Sequence, residues 1–306
     1  MSVEFLVGGL LRACYLVPAT LAFCLAARHG GYLPLWLPQC GTIAAYLAYY
    51  FAEGLGWNGT WSVVGALIAG SALGVACHRL LFAGHVACRE PYPALLRGVA
   101  LSLVIENVAG LMSSGYALAF ETLRPTWQVV CGWPLNDTLR VPDLVSLGAL
   151  AVLAPGLWLF VNHTRLGLAY RAVASNRDLA REHGVNAARI DTLVIFGASS
   201  LCACSGILYA LRYGLIPQMM TTPALKIVAV AVAVGPARLL VGATAVVMMG
   251  GVERLCQGIP GASGLEHGVG YTVLIIGVMA NYVLRPLWRR WALVMGKERF
   301  NERSLG

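Results

Sequence analysis

The sequence predicts an all-α protein built as a polytopic bundle of transmembrane helices, and two observations lead to this fold class. Hydrophobic residues make up 58% of the 306 residues, whereas charged residues make up 12%, about half of their usual share in soluble domains. Apolar stretches close to or longer than 18 residues recur along the chain, which is the length that a helix needs to cross a bilayer. Each stretch is expected to be helical, because hydrocarbon offers no hydrogen-bond partner to a free backbone amide.

About eight hydrophobic segments follow one another with no soluble domain between them, so we predict a single transmembrane domain over residues 1–306. The first segment lacks the basic region and the cleavage site of a signal peptide, and it is therefore interpreted as a membrane span. The predicted segments are 5–27, 31–51, 60–83, 94–114, 143–162, 191–211, 224–256 and 270–288.

The basic residues define an orientation in the membrane. Five arginines lie in the loop 163–190 and six basic residues lie in the tail 285–306, so both are predicted to be cytoplasmic. Counting spans backward from the central loop places the amino terminus and the loop 115–142 outside. This orientation accounts for the net charge of +8, and we predict no nucleic-acid partner.

The segment 224–256 conflicts with that orientation if it is one simple span, because the basic tail would then lie outside. Two full spans need about 40 residues, and the segment has 33. We therefore predict a re-entrant pair of short helices that enters and leaves on the outer side, with its bend at "VGPAR" (234–238). The alternative is a kinked single helix and an exception to the charge rule.

The loop 163–190 contains the signals of a short helix over 176–183. Ser175 and Asp178 have the spacing of a capping box, Asp178 and Arg181 can pair, and Gly184 stands where a left-handed cap belongs. A helix of two turns is too short to be stable alone in water. Either a partner holds it, or it is a solvated helix on the membrane surface.

This loop carries a family resemblance. The stretch "TRLGLAYRAVASNRDLAREHGVNAARIDTLVIFGASSLCACSGILYAL" (164–211) is similar to the signature region of the bacterial branched-chain amino acid ABC transporter permeases. The segment "LKIVAVAVAVGPARLLVGATAVVMMGGVERL" (225–255) resembles the glycine-rich segment of the same family, which ends in Gly-x-x-Glu. The signature positions that match are Thr164, Gly167, Arg171, Ala172, Val173, Asn176, Ala180, Gly184, Val185 and Asn186.

The resemblance implies a permease subunit of an ABC importer in the bacterial inner membrane, for branched-chain or related amino acids. Its implied partners are ABC ATPase subunits, a second homologous permease subunit, an extracytoplasmic solute-binding protein and the lipid bilayer. The chain has no G-x-x-x-x-G-K-[ST] phosphate loop, so ATP hydrolysis would belong to a separate subunit. No cofactor is predicted.

The resemblance also implies that residues 175–184 form a coupling helix, which docks on the ATPase and transmits its closure to the membrane domain. Small residues would allow a close approach and arginines would meet acidic groups of the ATPase. The predicted ATPase-coupling residues are Arg171, Ala172, Ser175, Asn176, Arg177, Asp178, Ala180, Arg181 and Gly184.

Polar and glycine residues inside apolar segments are candidates for the translocation pathway. Pro236 and Arg238 replace glycines of the family segment, and Arg238 either faces the pathway or extends to the interface. Glu106 either acts in transport or makes a hydrogen bond to a neighbouring helix, while Glu253 can pair with Lys226 or Arg254. The candidates are Glu106, Asn107, Gly235, Pro236, Arg238, Gly242 and Glu253.

Two other classes of function fit the sequence less well. A self-sufficient secondary transporter or channel needs intramembrane ion ligands, and Glu106 is nearly the only good candidate. An intramembrane enzyme needs a catalytic constellation, yet the sequence has neither H-E-x-x-H nor G-x-S-x-G. The nine cysteines lack metal-site spacing and are interpreted as small buried side chains, so no metal site is predicted.

Overall fold

The computed structural model describes residues 9–11, 13–82, 91–113, 116–120, 141–235 and 239–257, together with positions 272 and 279. Regular structure in these ranges is helical, apart from an isolated β-bridge between Leu118 and Leu215. The helices are α1 (Val17–Gly30), α2 (Gln39–Tyr49), α3 (Gly59–Leu81), α4 (Pro91–Met112), α5 (Val141–His163), α6 (Arg165–Ser175), α7 (Arg177–Glu182), α8 (Ala187–Tyr213), α9 (Thr221–Val234) and α10 (Leu239–Gln257), with a π-helical turn at Tyr50–Gly54 after α2.

Within the described residues, four helices are long and apolar enough to cross a membrane: Gly59–Leu81, Tyr92–Met112, Pro142–His163 and Ala187–Tyr213. They lie within a few residues of four predicted segments and confirm an all-α, polytopic membrane protein. The first two segments are less regular than predicted. A turn at residues 15–16 precedes α1, and α2 has 11 residues before the π-helical turn.

Helix α8 is the centre of the bundle and packs against α1, α2 and α3. Its most apolar window is 61% buried, against 17–28% for the other three long helices. Small residues permit this packing because they let helix backbones approach closely. Thus Gly206 of α8 lies against the backbone of Gly41 in α2, and Gly74 of α3 lies against Ser199 of α8.

The segment predicted to be re-entrant forms two short helices, α9 and α10, which fold back on one another. The Lys226 Nζ atom in α9 lies 2.6 Å from the Glu253 Oε1 atom in α10. One continuous helix would separate these residues by about 40 Å, at about 1.5 Å per residue. A single kinked span is therefore excluded, and the side of the membrane on which both ends lie stays a prediction.

Some predicted features fall outside the described residues. These are Pro236 and Arg238 at the bend, the last segment 270–288 apart from positions 272 and 279, the basic tail 285–306 and most of the loop 115–142.

Candidate functional site

The loop 163–190 contains two helices, α6 and α7, rather than the single predicted helix. The first turn of α6 explains why threonine and glycine stand three residues apart in the signature. The Thr164 hydroxyl accepts from the Gly167 amide at 2.9 Å and donates to the Phe160 carbonyl at 2.6 Å. A Cβ atom on Gly167 would lie 2.3 Å from the same carbonyl oxygen, so a residue without a side chain is needed where α6 leaves α5.

The amino-terminal cap of α7 is Asn176, and the predicted capping box at Ser175 is wrong. The Asn176 side-chain oxygen accepts from the amides of Asp178 and Leu179 at 3.2 and 3.1 Å. Ser175 is the last residue of α6, and its hydroxyl donates to the Ala172 carbonyl. Both residue types cap helices well, and the continuation of α6 through Ser175 decides between them.

The carboxyl end of α7 confirms the predicted left-handed cap. Gly184 has a φ of 80°, a conformation that glycine adopts without steric cost. Its amide donates to the Arg181 carbonyl at 3.0 Å, and the Val185 amide donates to the Ala180 carbonyl at 3.0 Å. This pair of bonds is a Schellman motif, so the sequence of α7 fixes both of its ends.

Helix α7 turns its small residue toward the protein. Ala180 is 5% exposed and belongs, like Val173, to the hydrophobic core. The expectation that Ala180 offers a close approach to an outside partner is thus not met by its position. Leu179 is 50% exposed, and the exposed face continues through Asp178, Arg181 and Gly184.

A charged cluster ties α7 to two membrane helices. The Arg177 guanidinium donates to one carboxylate oxygen of Asp191, which lies in the first turns of α8. The other oxygen accepts from His29 Nε2, in the last turn of α1, at 2.6 Å. An ionised carboxylate only accepts, so Nε2 carries the proton of this bond. Sequence analysis missed Asp191 and His29, because 162 residues separate them.

Helix α6 is fixed to the same end of α1. The Tyr170 hydroxyl donates to the Leu25 carbonyl at 3.0 Å, and its ring stacks on His29 with centroids 5.5 Å apart. Burial raises the pKa of Tyr170, which keeps the hydroxyl protonated as a donor. Arg171 lies beside it and contacts the Asn162 carbonyl at 3.4 Å. The helix pair α6 and α7 is therefore held by its own chain.

Glu106 makes the hydrogen bond to a neighbouring helix that was one of its two predicted roles. The Thr221 hydroxyl at the start of α9 donates to a Glu106 carboxylate oxygen at 3.0 Å. The Gln39 amide of α2 donates to the same hydroxyl at 3.1 Å. This chain of bonds joins α2, α4 and α9. Asn107 is exposed and donates to the Leu103 carbonyl of its own helix.

Glu253 pairs with Lys226, one of the two predicted partners. The Lys226 ammonium lies 2.6 and 2.7 Å from the two carboxylate oxygens, and each side chain is 12% exposed. The pair lies on the wall of a cavity of about 450 Å³. Gly235 ends α9 with a φ of 87°, and Gly242 lies close to Cys24 of α1.

A second buried charge pair escaped sequence analysis. Asp143 at the start of α5 is 1% exposed, and one of its oxygens accepts from the Tyr15 hydroxyl. The other oxygen lies 3.6 Å from Arg212 Nη1 near the end of α8. Ser205 donates to the Tyr15 carbonyl at 2.6 Å. This network joins α8 to α5 and to the chain before α1.

The apolar helices and the polar residues between them define a multi-pass membrane protein, and comparison with known proteins defines its family. Residues 6–279 match the model of the branched-chain amino acid transport system permease component. Because the match covers most of the chain, the protein belongs to this family. The curated relatives that match are permease proteins of branched-chain amino acid transport systems.

The individual relatives share only a modest sequence identity with this chain. The permease protein LivH of the high-affinity branched-chain amino acid transport system of Escherichia coli is 27% identical over 157 residues, which is 50% of each chain. The corresponding LivH of Salmonella typhimurium and BraD of Pseudomonas aeruginosa are each 25% identical, over 57% of this chain and 59% of theirs. The chain therefore spans about half to three-fifths of the length of these curated relatives.

Among solved structures, PsaBC from Streptococcus pneumoniae in complex with a Fab aligns over 92% of this chain and 90% of that chain. The sequence identity is 11% and the TM-score is 0.47, which is below the level that establishes a common fold.

Proposed function

We propose that this chain is the membrane-spanning permease subunit of an ABC importer for branched-chain or related amino acids. The observation that carries the proposal is the family match over residues 6–279. The self-capped α7 with its exposed face agrees with it, because a docking helix needs a defined shape. The chain would transport rather than catalyse, and ATP hydrolysis would belong to separate ATPase subunits.

The complete importer would contain two ATPase subunits, a second homologous permease subunit and an extracytoplasmic solute-binding protein. The exposed face of α7 is the proposed contact with the ATPase, with Leu179 as its apolar centre and Asp178, Arg181 and Gly184 around it. The other predicted coupling residues would have two roles. Four would fix the conformation and position of α7: Ala172, Ser175, Asn176 and Ala180. Two would connect the loop to the membrane helices: Arg171 and Arg177.

Movement of α7 would reach the membrane through Asp191. Arg177 and His29 bind the two oxygens of the Asp191 carboxylate. A displacement of Arg177 would therefore move Asp191 in α8 and His29 in α1 together. Charge-assisted hydrogen bonds of this kind are about twice as strong as neutral ones. The hairpin of α9 and α10 packs on α1, the helix that carries His29. The proposed pathway residues Glu253, Gly235 and Gly242 would therefore be one helix away from the Asp191 cluster.

A charge on the exposed face of α7 tests the contact with the ATPase. Leu179→Arg is expected to reduce copurification of the ATPase about tenfold, because a central interface side chain is worth more than about 1 kcal/mol. The matched control is Leu55→Arg, since Leu55 is also 50% exposed and lies on the side predicted to be outside. Equal retention of the ATPase by both variants would contradict the proposal.

The proposed orientation has the amino terminus outside and the carboxyl terminus in the cytoplasm. It rests on the arginines of the loop 163–190 and on the hairpin of α9 and α10, which returns the chain to its side of entry. A cysteine introduced at Arg189 should react with an impermeant maleimide only after the membrane is opened. Positions 257–268 should react in intact cells, and the reverse pattern would reject this orientation.

A further inference from the structure

The cavity beside the Lys226–Glu253 pair has the size of a small-molecule site. Its volume of about 450 Å³ lies within the range of ligand pockets, roughly 300–1,000 Å³. It lies between the end of α8, the residues that lead into α9, and the hairpin of α9 and α10. A liquid water molecule occupies about 30 Å³, so the space suits a small solute with some water and excludes a folded peptide.

The charges on the wall select for a particular kind of solute. The charges of Lys226 and Glu253 sum to zero, so the wall as a whole favours neither an isolated anion nor an isolated cation. Each charge is largely removed from water, and a buried charge that loses its partner is costly. A ligand that separates the pair must therefore offer a carboxylate to Lys226 and a cation to Glu253 at the same time.

The rest of the wall is divided between polar and apolar side chains. Tyr209, Tyr213 and Thr222 bring hydroxyl groups to the cavity, while Met219, Val246 and Met249 bring aliphatic surface. Methionine is flexible and fills irregular apolar space well. Such a wall accepts a ligand with a charged end and a short apolar side chain.

We propose that this cavity binds a zwitterionic amino acid, with its α-carboxylate on Lys226 and its α-ammonium on Glu253. The inference rests on the proposed function for its substrate class and adds the site and the roles of two residues. In the structure the two side chains neutralise one another. Binding replaces one ion pair with two, so neither protein charge is left buried without a counter-charge.

Calorimetric titration of the full chain in lipid nanodiscs, with its copurifying subunits and without any solute-binding protein, tests the site. The probes are L-leucine, leucinamide, which lacks the carboxylate, and N-acetyl-leucine, which lacks the ammonium. The unaltered protein is expected to bind leucine at least about tenfold more tightly than either analogue, because a hydrogen bond to a charged group contributes about that much.

Neutral variants of Lys226 and Glu253 distinguish a role in binding the ligand from a purely structural role of the ion pair. Lys226→Gln with Glu253→Gln removes both charges and leaves neither one without its partner, so this double variant is expected to fold and to bind all three probes equally. Lys226→Gln alone should lose the preference over leucinamide, and Glu253→Gln alone the preference over N-acetyl-leucine. Arg97→Gln, a charge loss at an exposed helix position outside the cavity, should keep both preferences.

Two results would overturn the inference. One is the absence of saturable leucine binding by the folded, unaltered protein, and the other is a tenfold preference for leucine that persists in the double variant. If either occurs while the ATPase still copurifies, the proposed function stands and the site is wrong. If leucine binds as expected but no ATPase associates, the site stands and the proposed function is wrong.

Discussion

Gly206→Ala is expected to destabilise the protein strongly and to reduce the amount of folded chain in the membrane. A Cβ atom at this position would lie 2.2 Å from the Gly41 carbonyl oxygen and 2.4 Å from its Cα atom. Those atoms belong to the backbone of α2, so no side chain can rotate away, and the two helices would have to separate. Overpacking a buried site costs typically about 1–3 kcal/mol, and contact with backbone places this substitution at the upper end.

The matched control for this substitution is Gly197→Ala in the same helix. A Cβ atom on Gly197 would meet nothing within 4 Å, and alanine favours a helix by roughly 0.5–1 kcal/mol over glycine. Thermal unfolding of the detergent-purified proteins measures both effects. We expect Gly197→Ala to unfold at the same or a higher temperature, and a similar loss in both variants would show that the α2–α8 crossing is not responsible.

The long helices could be predicted from sequence because the solvent dictates them. A run of about 20 apolar residues has no alternative to a helix in hydrocarbon, so four predicted segments differ from α3, α4, α5 and α8 by a few residues. The irregular start of the bundle could not be predicted in the same way. Residues 31–38 connect α1 to α2, and Trp36 and Leu37 in this connection are fully buried. Apolar composition looks the same in a helix and in a buried connection.

In the candidate site, too, features set by the local sequence could be predicted, whereas features set by tertiary packing could not. Gly184 could be recognised because its backbone conformation is a property of one residue, and the reversal at Gly235 followed from counting residues against the bilayer thickness. The choice of Asn176 over Ser175 as the cap depends on where α6 ends, which local pattern does not reveal. The partners of Asp191 and Asp143 depend on tertiary packing across 162 and 128 positions of the chain, and a single sequence carries no signal for them.

Asp191→Ala is expected to uncouple the proposed importer while leaving its proposed ATPase subunits attached. The substitution removes the carboxylate that joins Arg177 of α7 to His29 of α1, but it does not touch the exposed face around Leu179. Coupling free energies between two sites are typically about 1–3 kcal/mol, or roughly 5–150-fold. We therefore expect solute uptake to fall about tenfold or more at an unchanged level of bound ATPase, with ATP hydrolysis no longer stimulated by the delivered solute.

Thr192→Ala is the matched control for that substitution, because Thr192 is the next residue of α8 and its hydroxyl contacts Ala188 and Arg79 rather than the cluster. Uptake by this variant should remain near that of the unaltered protein. Asp191→Asn is expected to lie between the two, since an amide keeps an acceptor for His29 Nε2 but loses the charge that holds the guanidinium. If the Asp191→Ala variant takes up solute as fast as the Thr192→Ala variant, the Asp191 cluster does not transmit the movement of α7. The movement must then reach the membrane helices through the apolar contacts of the buried residues Ala180 and Val173.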